Sequence, residues 1–278
     1  MTQPIRVRRP HPARGQRPVA AVAALFGLFL GLPVVALVAR ALLDGSLGRA
    51  IASRVVLDAL GLSLVTTAIS LVITVALGLP LAFVLARRSF RGKGWIEAIV
   101  DLPIVLPPSV AGLALLLVFG RRGLLSQPLE GLGISVPFTT IAVILAQTFV
   151  SAPFFIRSAR TGIASVDPDL EDAARVDGAS EGQLFRAITV PLASAALAAG
   201  LVMTWARSLG EFGATIMFAG NVEGRTQTLP LVVYAEFQGG DLDASVAAAA
   251  ILVLAAFGVL IAVRVFGWGR LLESRQIA

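Results

Sequence analysis

The stretch Leu170–Leu192, LEDAARVDGASEGQLFRAITVPL, is a charged island between long apolar runs, and its reading decides how the rest of the chain is understood. Asp167 just upstream is a strong N-cap, and Pro168 suits the first helical position, where its missing N–H goes unnoticed. Leu170, Ala173 and Ala174 then fall on one face at helical spacing, which predicts a short helix from Pro168 onward. Asp177-Gly178 ends it, because glycine tolerates the left-handed backbone that closes a helix. Ser180 followed by Gln183 reads as a capping box for a second helix carrying Leu184, Phe185 and Ile188, and Pro191 opens the next segment. The expected product is a helix-turn-helix held between two membrane spans.

Composition supports that setting. Hydrophobic residues make up 56% of the 278 positions and charged ones only 14%, and the mean hydropathy is +0.85, far above a soluble domain. The chain reads as an all-α, polytopic membrane protein. It has no cysteine, so disulfides, thiolate chemistry and Cys-based metal sites are excluded. Its one histidine, His11, stands in a polar tail and leaves little for imidazole catalysis. The net charge of +6 would suit nucleic acid, but no basic soluble domain exists to bind it, and in a membrane protein arginines first report orientation.

Working outward, residues 1–18 form a basic tail with Arg6, Arg8, Arg9, Arg14 and Arg17 and no acid. The apolar run Val19–Leu43 that follows is too long for a signal-peptide core and predicts an uncleaved first span. Leu57–Leu85, Ile96–Phe119, Thr139–Ile156, Leu192–Phe212 and Ser245–Phe266 are each long enough to cross, making six transmembrane helices. The core is therefore expected over residues 57–266, with the charged loop at 167–192 and a last tail at 267–278. If six spans alternate, the N-terminal arginines share one side with Arg87, Arg88, Arg91, Lys93, Arg157, Arg160, Arg175, Arg186, Arg264, Arg270 and Arg275. Cytoplasmic loops carry the Lys/Arg excess, so both termini and the Leu170–Leu192 loop are expected in the cytoplasm. Glu223, Glu236, Asp241 and Asp243 fall on the opposite side, where Thr226–Gln238, too short to span, reads as an interfacial or re-entrant helix.

Three motifs carry a resemblance. Asp172-Ala173-Ala174, then Gly178, then Ile188-Thr189-Val190-Pro191 resembles the EAA loop of ABC-importer permeases, with Asp172 in place of Glu, although Glu171 sits beside it, and Val190 in place of Leu. Leu102–Gly112, LPIVLPPSVAG, followed by FGRRGLL at Phe119–Leu125, is similar to the third-span region of molybdate permeases. Ala206–Thr215, ARSLGEFGAT, with the run Met217–Asn221 and TQTLP at Thr226–Pro230, looks like the molybdate, tungstate and sulfate group, and the FAGN continuation favours molybdate. The resemblance covers roughly Leu57–Ala262 and leaves the first span outside.

It implies the fold of a type I ABC importer permease in the cell membrane of a prokaryote, importing an oxyanion. Molybdate is expected, with sulfate, thiosulfate or tungstate as alternatives. It also implies an ABC ATPase subunit docking on the loop through Glu171, Asp172, Ala173, Ala174, Gly178 and Pro191, an extracytoplasmic substrate-binding protein, and a second permease copy, expected as a homodimer.

From the residues themselves, Arg207 and Glu211 are four apart at the end of the fifth span and able to pair. Ionisable groups at that depth usually face the bundle interior and mark functional sites. With Pro107, Pro108, Ser208 and Thr215 they are the candidate translocation-path residues; a structural ion pair that neutralises itself is the alternative. No phosphate-cradling glycine loop with its Lys and Ser/Thr occurs. ATP is therefore expected on the partner, no cofactor or metal in this chain, and no catalytic residue. A secondary transporter is the rival class, and it predicts inverted repeats and mid-membrane protonatable groups.

Overall fold

The computed structural model describes the backbone of residues 16–273 and the side-chain surroundings of residues 18–261, which contain helices and loops but no strand. In chain order the helices are α1 (Gln16–Leu43), α2 (Ser46–Ala52), α3 (Arg54–Arg87), α4 (Lys93–Val105), α5 (Pro108–Phe119), α6 (Ser126–Gly131), α7 (Thr140–Ala164), α8 (Pro168–Val176) and α9 (Glu181–Leu184). A π-helical turn (Phe185–Thr189) then leads into α10 (Val190–Leu209), followed by α11 (Gly213–Phe218), α12 (Leu229–Gln238) and α13 (Leu242–Glu273).

Five stretches are long and apolar enough to cross a membrane, Pro18–Leu43, Arg54–Arg87, Thr140–Ala164, Glu181–Leu209 and Leu242–Ile261. The third span, expected over Ile96–Phe119, is not one helix: α4 and α5 pass the same test only together and are bent by 119°. Proline chemistry explains the correction. A residue preceding proline is pushed out of the helical region, and a proline gives its helix no N–H. Leu106 and Pro107, each followed by proline, accordingly have ψ of 133° and 135°, and Pro108 starts a new helix. Pro33, Pro80 and Pro153 lie inside continuous helices instead.

Other boundaries move too. The fourth span runs to Ala164 rather than Ile156, because Arg157 and Arg160 meet acids on α4: Arg160 Nη2 lies 3.0 Å from Glu97 Oε1 and Arg157 Nε 3.6 Å from Asp101 Oδ1. The fifth ends at Leu209 rather than Phe212, and α13 starts at Leu242 and continues through Glu273. Residues 1–15 and 274–278, with His11, Arg6, Arg8, Arg9, Arg14 and Arg275, lie outside the described residues.

At the centre, α3, α7 and α10 close on Ala82, Leu85, Phe155, Ile156, Ala159, Ile163 and Ala193. Small side chains let helix backbones approach, which matters where lipid is as apolar as the partner helix. A second cluster joins Ala111 and Leu115 of α5 to Ala142, Val143 and Ala146 of α7 and Ala214 and Phe218 of α11. A third joins α2, α3, α12 and α13 through Ala50, Ala59, Leu229, Val232 and Ala248. The short helix expected within Thr226–Gln238 is therefore α12, with Leu229, Leu231 and Val232 buried. By contrast α1 leaves most of its surface open; its far end is tied to α13 by Arg40 Nη2, 3.0 Å from Asp243 Oδ1.

The middle of α3 buries polar residues, with Ser63, Thr66, Thr67, Ser70 and Thr74 each at most 2% exposed. Three of these groups are answered across helices, whereas Thr66 Oγ1 donates to Leu62 O at 2.8 Å within α3 itself. Gln147 Nε2 donates to Thr67 Oγ1 at 3.4 Å, Thr148 Oγ1 to Ser70 Oγ at 3.0 Å, and the Leu229 N–H to Ser63 Oγ at 2.8 Å. Ser63 thus anchors the start of α12, whose first N–H groups have no partner within the helix. Ser63→Ala should leave the Leu229 N–H buried and unpaired and cost about 1–3 kcal/mol. Denaturant unfolding of the detergent-solubilised chain measures this, and an unchanged midpoint would refute the anchor.

Candidate functional site

The charged loop folds as its caps dictate. Asp167 Oδ1 accepts from the Asp169 N–H at 3.0 Å, Pro168 takes the first position of α8, and Asp177 closes it. Gly178 then sits at φ 86°, where a side chain is strained, and the Ala179 N–H reaches back to Ala174 O at 3.0 Å. The capping box is present in both halves: Gln183 N–H donates to Ser180 Oγ at 3.4 Å and Ser180 N–H to Gln183 Oε1 at 2.8 Å. Beyond it the expectation of a separate second helix fails. Four residues of α9 pass through the π turn into α10 without interruption. Pro191 supplies the reason. It has no N–H for Ala187 O, and in a regular α-helix its ring would press on that carbonyl. The wider turn relieves this, with the Val190 N–H donating five residues back to Phe185 O. Pro191 itself is exposed.

Within α8 the two adjacent acids, Glu171 and Asp172, divide. Asp172, the motif acid, is exposed and lies 2.6 Å from Arg175 Nη1, whereas Glu171 is the one buried residue of the helix. Glu171 Oε1 accepts from Arg87 Nη2 at 2.6 Å and from Thr189 Oγ1 at 2.8 Å, and Arg87 Nη2 also donates to Val166 O at 3.2 Å. Neither Arg87 nor Thr189 stood out as a site residue in the sequence. Arg175 bridges to Glu181 Oε1 at 2.8 Å, and that hydrogen bond raises its already high pKa further. Leu170, Ala173 and Val176 are exposed and Ala174 half-buried, so α8 presents an uncovered face of small and apolar residues on a charged rim.

A second constellation lies at mid-bundle, where the breaks before α5 and before α11 abut. Gly213 is so close to α5 that a β-carbon there would lie 2.8 Å from Pro108 Cβ, and one on Gly112 would lie 2.6 Å from Ala214 O. Two backbones cross here because neither carries a side chain at the contact. Pro107 and Pro108 are exposed beside the crossing. Arg207 and Glu211 pair as their spacing predicts, Nη1 to Oε2 at 2.6 Å, although Glu211 lies past the end of α10. Its other oxygen accepts from the Ala214 N–H at 2.7 Å and caps α11. The Glu211 side chain is sealed, while that of Arg207 stays 29% exposed. Ser208 and Thr215 are fully buried, and their hydroxyls find no partner among the described residues. Among the described residues no His, Cys, Asp and Glu cluster could hold a metal ion.

Comparison with known proteins matches residues 78–277 to the family described as "Binding-protein-dependent transport system inner membrane component". The "Molybdenum transport system permease protein ModB" of Mycobacterium tuberculosis is 45% identical over 205 residues, 74% of this chain and 77% of its own length. The protein of the same description from Haemophilus influenzae is 40% identical over 66% of this chain and 80% of its own. Among solved structures, a chain of a bacterial ABC transporter that imports the acidic polysaccharide alginate superposes with a TM-score of 0.72 over 90% of this chain and 93% of its own, at 18% identity, a likeness of fold. A chain of a bacterial alginate ABC transporter in complex with an alginate pentasaccharide-bound periplasmic protein superposes with a TM-score of 0.70 over 89% of this chain and 91% of its own, at 19% identity.

The Arg207–Glu211 contact generates a test at mid-bundle. Arg207→Ala leaves a sealed carboxylate without its cation and should cost about 3 kcal/mol, the lower end for breaking a buried pair because Arg207 reaches solvent. Glu211→Gln removes the charge while keeping an acceptor for the Ala214 N–H. The double variant Arg207→Ala/Glu211→Gln should therefore recover at least about 1 kcal/mol of the first loss. Unfolding midpoints of the four proteins in detergent decide it, and strictly additive losses mean the two groups are not coupled.

Proposed function

The chain belongs to the family of binding-protein-dependent transport system inner membrane components, and from that premise we propose that it is the membrane subunit of an ATP-driven importer carrying molybdate across the cell membrane. Five continuous apolar helices and one bent pair make it a multi-pass membrane protein. Relatives described as molybdenum transport permeases are 38–45% identical to it over the aligned residues, which supports molybdate over sulfate or tungstate as the cargo.

In this reading the end of the bundle bearing Arg87, Arg88, Arg91, Lys93, Arg157, Arg160, Arg175 and Arg186 faces the cytoplasm, as the positive-inside rule requires, and both termini lie on that side. A separate ATPase subunit docks on α8, over Ala173 and Ala174, with Asp172 at the rim. Glu171 and Gly178 hold the helix at its angle, and Pro191 shapes its exit. Two copies of the chain pair, and molybdate passes beside the mid-bundle crossing, near Pro107, Pro108 and Arg207. Ser208, Glu211 and Thr215 stand behind that surface. The exposed guanidinium draws the anion in, while the Glu211 charge bound to it keeps the site from holding a dianion tightly, as a conduit requires. A substrate-binding protein delivers the anion at the opposite face, a reading supported by the bacterial alginate ABC transporter having been solved in complex with an alginate pentasaccharide-bound periplasmic protein.

The observation that carries this reading is α8 itself, a capped helix standing out of the bundle with an uncovered small-residue face, in a chain that has no phosphate-cradling motif of its own. Proteoliposomes holding the permease, its ATPase and the binding protein test it. Molybdate uptake should require ATP and survive collapse of the proton gradient; uptake that dies with the gradient and ignores ATP would make this a secondary transporter. Ala174→Glu should leave insertion intact, since the apolar runs are untouched. It should cut uptake and binding-protein-stimulated ATP hydrolysis together by at least about tenfold, because an unpaired charge forced into an interface costs more than about 1.4 kcal/mol. Wild-type values of both would remove α8 as the coupling element.

A further inference from the structure

Of the nine residues of α8, only Glu171 is buried. The buried tie of the helix to the bundle is thus one carboxylate, whose side chain is 4% exposed and whose hydrogen-bond donors come from distant segments, while on the exposed side Arg175 reaches Glu181 of α9. Arg87 is the last residue of α3, its side chain 15% exposed. It binds the carboxylate at 2.6 Å and, with the same nitrogen, the Val166 carbonyl at 3.2 Å, spanning the link between α7 and α8. Thr189, fully buried at the end of the π turn, donates its hydroxyl to the same oxygen at 2.8 Å. Arg175 Nη2 stands 3.9 Å from the other oxygen.

Such an arrangement is stiff. Charge-assisted hydrogen bonds are short and strong, a guanidinium holds two acceptors in fixed geometry, and pulling any one partner away leaves a buried charge unanswered. A displacement applied to α8 is therefore passed to the inner end of α3 before it is absorbed by the two short links that flank the helix. We propose that the Arg87–Glu171–Thr189 node is a strut that makes α8 and the loop end of α3 move as one body, with Arg87 and Thr189 as positioning residues. The proposal rests on the reading of α8 as the docking element and adds the route by which its movement enters the membrane. In that route α3 is the driven helix, and the polar face it buries against α7 is the first surface to feel the motion.

Two kinds of measurement test the strut in the reconstituted complex. In the first, Arg87→Gln should still co-purify with the ATPase and retain hydrolysis, because the outward face of α8 is untouched, while molybdate taken up per ATP hydrolysed falls by about tenfold. Arg87→Lys should recover most of it, since an ammonium still reaches Glu171. In the second, the absence of native cysteine lets spin labels be placed at Asp169→Cys on α8 and Leu77→Cys on α3, both exposed positions. With both labels confined to one of the two paired copies, pulsed electron resonance should give one narrow distance that is the same without nucleotide and with trapped ATP, and Arg87→Gln should broaden it. A wild-type uptake ratio in Arg87→Gln, a label distance that changes with nucleotide in the unmodified node, or equal loss of ATPase association in the Gln and Lys variants would each overturn the strut. The outcomes separate cleanly from the parent reading. Ala174→Glu defective with Arg87→Gln normal removes only the strut, whereas Ala174→Glu normal removes the docking role of α8 itself.

Discussion

A carboxylate buried in a helix that is otherwise exposed must be answered by positive charge and hydroxyl donors, and this requirement shapes the loop end of the molecule. Glu171 is answered there because α3 ends on Arg87 at the right height and because the π turn carries Thr189 to the same oxygen. The surrounding choices follow from it. Asp167, Pro168 and Gly178 fix where α8 begins and ends, so that its one buried position points at Arg87. Arg175 is left for the rim, where Asp172 and Glu181 balance it.

The mid-bundle answers a different constraint, that broken helices in lipid must keep their backbone groups away from hydrocarbon. Two breaks placed back to back meet it with little machinery. Glu211 takes up the Ala214 N–H, Arg207 neutralises the carboxylate, and the glycines at 112 and 213 let α5 and α11 approach until each covers part of the other. This gives the GEFGAT run a physical content. The acid caps, the second glycine allows contact, and the alanine fills the cluster with Ala111 and Phe218.

Local features were legible in the sequence because their partners are near in the chain. The Asp167 cap, the Ser180–Gln183 box, the left-handed Gly178 and the Arg207–Glu211 pair all act within four residues, where backbone geometry alone predicts contact. The Arg87–Glu171 bond joins residues 84 positions apart, and an arginine at a span end looks the same whether it meets lipid headgroups or a buried acid. The motif itself pointed at Asp172, since alignment by spacing cannot tell which of two adjacent acids faces inward. The doublet Pro107-Pro108 breaks the single helix expected over Ile96–Phe119, and the angle of that break depends on where Gly112 and, far along the chain, Gly213 let α5 settle. The span ends moved for a related reason: Arg157 and Arg160 look like loop residues until Asp101 and Glu97 are brought beside them.

The π turn has a consequence for the phase of the helix that contains it. Leu184 and Thr189 are both buried, yet they are five residues apart, and a regular α-helix would set them about 140° apart around its axis. A turn closed by a bond five residues back brings the two nearly into line. One continuous rod can then bury Leu184 before the turn and Thr189, Ala193, Gly200, Thr204 and Ser208 after it. The segment that leaves the loop and the segment that crosses the membrane are thus cut on different helical phases and spliced at Pro191, so each can keep the face its own surroundings demand.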